Sequence, residues 1–390
     1  MYLEQLALHD FRSYAGAELT LGPGVHVLVG PNAQGKTNML EAVHYLAVGA
    51  SHRVASDTPL VRHGAEAAII RATARVDTAG GNPGRALGVE VELRAGGRNR
   101  ARLNGQPQPR FRDAIGHIRS VLFAPEDLQL VRGDPGDRRR FLDDLLGQRR
   151  PAYFAMRQEY DRILRQRNAL LRAARATGHV DATFHTWTES LIATGAALLA
   201  ARIAVVNALS APTHAAYADL VADSPQREAA GRLELAYELS TGRVVEADAG
   251  HGIPDPAPLA DELREGFAAV AAEERDRGMT LRGPHRDELH LRLNGLPAKG
   301  YASHGEIWSF ALALRLASRD VLHDVGEEPV VLLDDVFAEL DETRRQRLAA
   351  RCAGFEQVVV TAAVDDDVPL PGSRHRIRAG RVETVGRMAA

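Results

Sequence analysis

The sequence reads Gly-Pro-Asn-Ala-Gln-Gly-Lys-Thr at residues 30–37, a full match to the pattern G-x-x-x-x-G-K-[ST]. In this pattern the glycines let the loop turn, so that its backbone N–H groups point at phosphate oxygens. An apolar strand at residues 24–30 precedes the loop, and a helical stretch at 38–48 follows it. The helix adds the positive end of its dipole to the site. The sequence therefore predicts a nucleoside triphosphate site.

Each residue of this loop is a candidate ligand of the nucleotide. Lys36 would reach the β- and γ-phosphates and is also predicted to be catalytic, while the hydroxyl of Thr37 would bind Mg²⁺. The alternative is a chance Gly-rich turn, but lysine occurs only at Lys36 and Lys299, which makes a chance match rare. The predicted ATP-binding residues of the loop are Gly30, Pro31, Asn32, Ala33, Gln34, Gly35, Lys36 and Thr37.

A second acidic motif completes the predicted site. Residues 329–335 read PVVLLDD, four apolar residues that end in two acids. Such a run is typical of a strand buried on both faces, with its carboxylates at the edge of the sheet where ligands collect. Asp334 is predicted to hold Mg²⁺, and Asp335 to polarise the attacking water as a catalytic residue. The alternative is that two adjacent acids merely end a strand.

Bulk composition excludes several classes of protein. The chain has 390 residues, a formal net charge of −3 and 45% hydrophobic residues, so neither bulk acidity nor bulk basicity indicates a partner. The single cysteine, Cys352, excludes an internal disulfide and a thiolate-rich zinc site, which favours a reducing cytoplasm. The most apolar stretch, residues 191–211, is interrupted by Arg202 and Asn207, so we interpret it as a buried helix rather than a membrane span.

The order of strand-like and helical segments predicts an α/β unit that is split in sequence. Residues 1–125 read mainly as strands, and residues 137–222 read as helices. Asn-Gly pairs at 104–105 and 294–295 indicate β-hairpins. We predict an α/β head formed by residues 1–125 and 278–390, with a mostly helical lobe inserted at 126–277.

One capped helix raises a separate question. Residues 301–310 read YASHGEIWSF, in which Ser303 and Glu306 have capping-box spacing before an apolar run. An exposed helix start of this kind is also an anion site.

The triplet His285-Arg286-Asp287 resembles a kinase catalytic loop, but Arg292 stands where that loop needs asparagine, so we interpret the triplet as a solvated turn.

Several motifs together resemble the RecF family of bacterial recombination-mediator ATPases, which are related to SMC and ABC-type ATPase heads. The motifs lie in the order and spacing of that family and span nearly the whole chain. They are GPNAQGKTN near the amino terminus, FAPEDLQLVRGDPGDRRRFLD at 123–143, RGPHRDEL at 282–289, YASHGE at 301–306 and LLDDVFAELD at 332–341. The family's usual Asn-Phe-Arg reads Asp10-Phe11-Arg12 here, and Arg12 is added to the predicted ATP ligands on this ground.

The resemblance implies an ABC/SMC-type P-loop ATPase head with mixed sheets and helices. Two subunits would meet head to tail, with ATP between the phosphate loop of one and the signature loop of the other. ATP would close this homodimer and hydrolysis would release it. The residues that match the parts acting in trans are Ser303, His304, Gly305, Glu306 and Asp341.

Three departures from the ABC pattern indicate slow hydrolysis. The signature carries His304 and Glu306 where Gly and Gln are usual, and Asp335 is shorter than the usual Glu. The switch His expected after the last core strand is absent from residues 358–363, VVVTAA. We therefore expect a weak, DNA-stimulated ATPase that acts as a timing switch.

An excess of arginine over acids at residues 132–175 favours contact with a phosphate backbone. The alternative is a solvated helix face with paired charges. The resemblance implies DNA as the partner, single-stranded, gapped or at a junction, in recombinational repair, replication-fork restart and SOS induction. It also implies RecR and RecO as partner proteins, recombinase loading and no membrane. The predicted DNA contacts are Arg138, Arg139, Arg140, Arg149 and Arg150.

Two rival functions stay open on the sequence alone. The nucleotide-binding subunit of an ABC-type transporter shares the phosphate loop and the signature, although the Arg-rich insertion and the missing switch His count against it. A non-catalytic scaffold that dimerises on ATP is the other rival. The roles of His285 and Arg286 are left open.

Overall fold

The computed structural model describes residues 1–78, 82–179, 181–222, 232–248, 250, 252–326 and 328–388. The chain divides into two compact units. The first unit comprises Met1–Leu128, Ala216–Ala230 and Ser309–Ala390, and the second comprises Gln129–Ala215 and Gly231–Trp308.

The described strands are numbered in chain order. They are β1 Tyr2–Phe11, β2 Tyr14–Thr20, β3 Gly24–Val29, β4 Ala67–Thr78, β5 Asn82–Arg94, β6 Arg100–Leu103, β7 Gln106–Pro107, β8 Ser120–Phe123, β9 Leu233–Glu238, β10 Val244–Glu246, β11 Glu288–Leu293, β12 Leu296–Pro297, β13 Val330–Asp334, β14 Gln357–Ala362, β15 Gly372–Arg378 and β16 Arg381–Met388.

The described helices are numbered in the same way. They are α1 Lys36–Val48, α2 Leu128–Arg132, α3 Pro135–Arg149, α4 Ala152–Thr177, α5 Phe184–Leu220, α6 Pro256–Ala269, α7 Ala271–Arg277, α8 Ala298–Tyr301, α9 His304–His323 and α10 Glu342–Cys352.

A mixed sheet forms the centre of the first unit, in the order β16-β15-β3-β14-β13-β8. All neighbours from β15 to β8 are parallel, and only β16 is antiparallel. Every residue of β13 and β14 is buried, as their uninterrupted apolar runs predict. Because β3, β13 and β14 are parallel, their carboxyl ends meet at one edge, and α1 packs against β8, β13 and β14 beside it.

A second, antiparallel sheet of the first unit has the order β2-β1-β4-β5-β6-β7. The predicted Asn-Gly hairpin joins β6 to β7, with positive φ angles at Asn104 (50°) and Gly105 (78°). This turn geometry suits the twist of paired strands. The prediction of a hairpin at this point is confirmed.

The second unit combines helices with a small sheet in the order β10-β9-β11-β12. The predicted hairpin at Asn294 and Gly295 joins β11 to β12. Helix α5 is long and apolar enough to cross a membrane, but 67% of its most apolar stretch is buried within the protein. Such burial is typical of a core helix.

The observed units differ from the predicted lobes at three places. The first boundary falls after Leu128 instead of residue 125. Residues 278–308 belong to the second unit, because β11 pairs along its whole length with β9. Residues 216–222 belong to the first unit, where the ring centroid of Tyr217 lies 6.5 Å from that of Phe310.

Candidate nucleotide site

The phosphate loop lies at the carboxyl end of β3 and leads into α1. Gly35 occupies the N-cap position with φ of 106° and no side-chain cap, so the first N–H groups of the helix have no capping side chain. A Cβ atom at Gly30 would stand 2.3 Å from the carbonyl oxygen of Ile377, and one at Gly35 would stand 2.8 Å from the Tyr14 hydroxyl. Gly30 is therefore needed for the close approach of the Ile377 backbone, and Gly35 for the positive φ of the turn and for the space taken by the Tyr14 side chain.

Lys36 is held inside the loop that precedes it. Its side chain is 4% exposed, and Nζ donates to the carbonyl oxygens of Gly30 at 2.7 Å and Pro31 at 3.2 Å. An ammonium group has three donors, so the lysine can bridge the loop and still reach a phosphate oxygen. Gln34 ties the loop to the last hairpin, since its Oε1 accepts the Ala379 N–H at 2.7 Å.

The structure brings Thr37 and Asp334 together, although they are far apart in the sequence. The Thr37 hydroxyl donates to Asp334 Oδ1 at 3.0 Å. Asp334 is 4% exposed, and its pKa is raised chiefly by burial, so an ionised carboxylate here needs a cation or donors. A hydroxyl and a carboxylate oxygen are the hard donors that Mg²⁺ prefers. The residues present therefore fit a magnesium ion.

Asp335 follows at the same sheet edge in a left-handed conformation, with φ of 49°. This conformation is uncommon for a residue other than glycine and turns the chain sharply after β13. Asp335 lines a cavity of about 260 Å³ that also involves Asn32 of the phosphate loop and Glu339. The cavity gives the predicted catalytic carboxylate access to solvent beside the loop.

Arg12 is engaged elsewhere than on the loop in this structure. Its Nε and Nη2 donate to the two carboxylate oxygens of Glu41 at 2.9 and 2.6 Å, and Nη1 donates to the Pro59 carbonyl at 3.2 Å. Glu41 lies on α1, fully buried. A contact between Arg12 and ATP stays a prediction, and it requires the guanidinium to change partners.

The predicted signature segment is a capped helix start in the second unit. Ser303 N–H donates to Glu306 Oε2 at 2.7 Å, and Glu306 N–H donates to Ser303 Oγ at 3.4 Å, which confirms the capping box. Arg132 donates to His304 Nδ1 at 3.0 Å. Ser303 and His304 are exposed, as a contact with another subunit would require.

Asp341 belongs to the first unit and caps α10. Its carboxylate accepts a hydrogen bond from the Arg344 backbone N–H at 2.9 Å and another from the Arg344 guanidinium at 2.8 Å. The side chain of Asp341 is 55% exposed. A role in trans is compatible with this exposure and stays a prediction.

The predicted DNA contacts fall into two groups. Arg138 is 7% exposed and donates to both oxygens of Glu288 at 2.7 and 2.9 Å, so the prediction that it lies on a DNA-binding surface is wrong for this conformation. Arg139 is half-buried and donates to the Asp287 carbonyl at 2.6 Å. Arg140 and Arg150 are exposed, and Arg149 is half-buried. Sequence counting could not separate buried ion pairs from surface charge.

Of the His285-Arg286-Asp287 triplet, which we interpreted as a solvated turn, only Arg286 is exposed. Asp287 is 1% exposed and accepts the Tyr237 hydroxyl at 2.9 Å, and burial raises its pKa to about 6. Burial lowers the pKa of His285 to about 4, and its Nδ1 lies 2.8 Å from the Tyr160 hydroxyl. Asp287 and the half-buried His285 are thus part of a polar hydrogen-bond network of the second unit, whereas Arg286 is exposed.

No sequence motif pointed to one residue of the site, Thr361. It is 1% exposed, and its hydroxyl donates to Asp334 Oδ1 at 2.7 Å. Thr361 Oγ1 also accepts a hydrogen bond from the Asp335 N–H at 2.9 Å. Only the register of β14 against β13, which sets Thr361 opposite Asp334, reveals the contact.

The mixed parallel sheet, the phosphate loop and the acids after β13 define the protein's class, an ABC/SMC-type ATPase head. The family model described as RecF/RecN/SMC N terminal domain matches residues 2–368. A solved Smc head from Pyrococcus furiosus covers 98% of the chain, and the chain covers 96% of it, with a TM-score of 0.52 and 18% identity, a likeness of fold alone.

Comparison with individual proteins narrows the class. The chain is 51% identical to "DNA replication and repair protein RecF" of Streptomyces avermitilis, over 99% of the chain and 100% of that protein. It is 50% identical to the protein of the same description from Kineococcus radiotolerans, over 95% of the chain and 94% of that protein. A solved structure of the recombination mediator RecF with ATP matches with a TM-score of 0.87 and 26% identity, covering 99% of this chain and 98% of that one. The chain belongs to the RecF family.

Proposed function

We propose that the chain is an ATP-dependent DNA-binding protein of replication and recombinational repair. The main observation behind this proposal is the 3.0 Å hydrogen bond from Thr37 Oγ1 to Asp334 Oδ1, because it joins the phosphate loop to the predicted metal-binding acid. Support also comes from relatives described as DNA replication and repair proteins, and from a solved relative described with ATP.

The residues of the site have distinct tasks in this proposal. The loop backbone and Lys36 bind the phosphates, and Thr37 with Asp334 holds Mg²⁺. When bound, Mg²⁺ supplies positive charge that offsets the charge of the phosphate oxygens. Asp335 accepts a hydrogen bond from the attacking water and orients it. Slow hydrolysis is expected, because Ala362 and Ala363 follow Thr361 where ABC ATPases carry a switch histidine.

ATP closes a head-to-tail homodimer on DNA, and hydrolysis opens it. The exposed start of α9 at Ser303 binds the γ-phosphate of the nucleotide held by the other copy. The dimer acts at single-strand gaps or junctions in the cytoplasm, together with RecR and RecO, and promotes recombinase loading, fork restart and the SOS response. A solved relative described as part of the RecFOR pathway supports this setting.

Sedimentation velocity of the wild type and Ser303→Arg, with and without ATP and DNA, tests the proposal. The wild type is expected to dimerise with ATP, and Ser303→Arg is expected to bind ATP but stay monomeric, because the bulky cation blocks the helix start. Thr177→Arg is a matched control, since Thr177 is also exposed in the second unit. ATP-driven dimerisation of Ser303→Arg that equals the wild type would refute the trans site.

A non-catalytic scaffold is a second candidate, favoured by the short acid Asp335 and by Ala362 in place of a switch histidine. The two candidates differ in the lifetime of the ATP-bound dimer. Hydrolysis as a timer predicts that Asp335→Asn prolongs this lifetime, whereas a scaffold predicts no change. A pulse of ATP followed by light scattering distinguishes them.

A further inference from the structure

Thr361 stands between the two acids of the nucleotide site. It lies near the end of β14, and its Cα is paired in register with that of Asp334 on β13. The side chain is 1% exposed, so water does not compete for its hydroxyl. Its position is set by the central strands of the sheet rather than by a loop, which gives it the rigidity that a positioning group needs.

The donor and acceptor in each hydrogen bond of Thr361 to the two acids are fixed by the chemistry of its partners. A backbone N–H can only donate, so the Asp335 N–H, at 2.9 Å, uses a lone pair of Thr361 Oγ1. The single hydroxyl proton is then directed to Asp334 Oδ1, at 2.7 Å. Asp334 Oδ1 also accepts the Thr37 hydroxyl at 3.0 Å. One side chain therefore fixes the carboxylate of Asp334 and the backbone of Asp335.

The hydrogen bond to the Asp335 amide acts at a residue with an unfavourable backbone conformation. Asp335 adopts φ of 49°, a conformation that costs energy for a residue with a side chain. If this part-buried N–H lost its partner, it would add a further cost of up to about 1–3 kcal/mol. The Thr361 oxygen removes this cost and holds the turn at Asp335 that follows β13. Removal of the hydroxyl releases both acids together.

We infer that Thr361 is a positioning residue for ATP hydrolysis, which aligns the metal-binding Asp334 with the water-orienting Asp335. This inference rests on the proposed function. It implies that loss of the Thr361 hydroxyl slows ATP turnover and reduces the gain in nucleotide affinity that Mg²⁺ provides. The phosphate loop still binds nucleotide. A hydroxyl on a different side chain suffices, so serine preserves the function and valine, which has the same shape, does not.

The test compares Thr361→Val and Thr361→Ser with the wild type in two assays. Steady-state hydrolysis separates kcat from KM, and fluorescence titration with a non-hydrolysable ATP analogue measures affinity with and without Mg²⁺. For Thr361→Val we expect kcat to fall roughly tenfold to a hundredfold, with KM nearly unchanged. The gain in affinity on adding Mg²⁺ should shrink, and Thr361→Ser should restore both quantities.

Thr213→Val is the matched control, because Thr213 is also fully buried and its hydroxyl donates to the Leu209 carbonyl at 2.6 Å in the second unit. Thermal melting checks folding, and Thr361→Ala replaces the valine variant if that one does not fold. Hydrolysis by Thr361→Val or Thr361→Ala within about twofold of the wild type, with the Mg²⁺ effect intact, overturns the inference alone. A wild type that binds no ATP overturns the proposed function as well.

Discussion

At the scale of single residues, two arginines with similar sequence context differ in role: one stabilises the fold, and the other is predicted to contact DNA. Arg138 and Arg140 are two residues apart on α3, yet Arg138 is buried in a bidentate pair with Glu288, while Arg140 is exposed. We expect Arg138→Ala to lower the free energy of unfolding by roughly 2–3 kcal/mol, because Glu288 loses a charged partner. Arg140→Ala should leave stability unchanged and weaken DNA binding.

Urea unfolding and DNA titration over a salt series measure the two effects. If Arg140 contacts a phosphate, its loss reduces the slope of log affinity against log salt by about 1. A destabilised Arg140→Ala with unaltered salt dependence, or an Arg138→Ala protein as stable as the wild type, would contradict this division of tasks.

His285 is expected to make stability depend on pH. Its pKa is about 4 in the folded chain, against an ordinary value of 6.5, because burial disfavours the charged ring. Below pH 6.5 the unfolded chain therefore binds a proton that the folded chain does not, and stability is lost as the pH falls towards 4. The difference amounts to about 3 kcal/mol.

Urea unfolding of the wild type and His285→Gln between pH 4 and 7 measures this contribution. Glutamine can keep a hydrogen bond to Tyr160 but does not titrate, so the variant should lose less stability than the wild type on acidification. Parallel curves for the two proteins would exclude His285 as a source of the pH dependence. The raised pKa of Asp287 acts in the opposite direction in both proteins and so cancels in the comparison.

At the scale of elements, the glycines of the two Asn-Gly hairpins allow the cost of a positive φ to be measured without a contribution from steric clashes. A Cβ atom at Gly105 or Gly295 would meet no atom within 4 Å, but φ is 78° and 74° at these positions. We expect Gly105→Ala and Gly295→Ala each to cost about 1 kcal/mol of stability from backbone strain alone.

Gly22→Ala is the matched control, since Gly22 is equally open to space without a positive φ. It should be neutral or slightly stabilising in urea unfolding. Equal losses in all three variants would show that the hairpin geometry is not the cause. The comparison also tests the two units separately, because Gly105 belongs to the first and Gly295 to the second.

At the scale of the whole molecule, the features that depend on neighbouring residues could be predicted from the sequence, whereas those that depend on contacts between distant segments could not. The phosphate loop, the strand before Asp334, the capping box and the hairpins each depend on neighbouring residues, and the structure contains all of them. Thr361 escaped prediction because its role arises from the register between strands that are distant in sequence. The observed unit boundaries differ from the predicted ones for the same reason, since the pairing of β9 with β11 is not a local property.

The scarcity of lysine has a practical consequence for chemistry at amines. Of the two lysines, Lys36 is 4% exposed inside the phosphate loop. The side chain of Lys299 is 56% exposed, four residues before Ser303. Of the two lysine side chains, an amine-reactive dye should therefore label Lys299 in preference to Lys36. The wild-type sequence thus contains a natural attachment point for a fluorophore next to the segment proposed to meet a second copy.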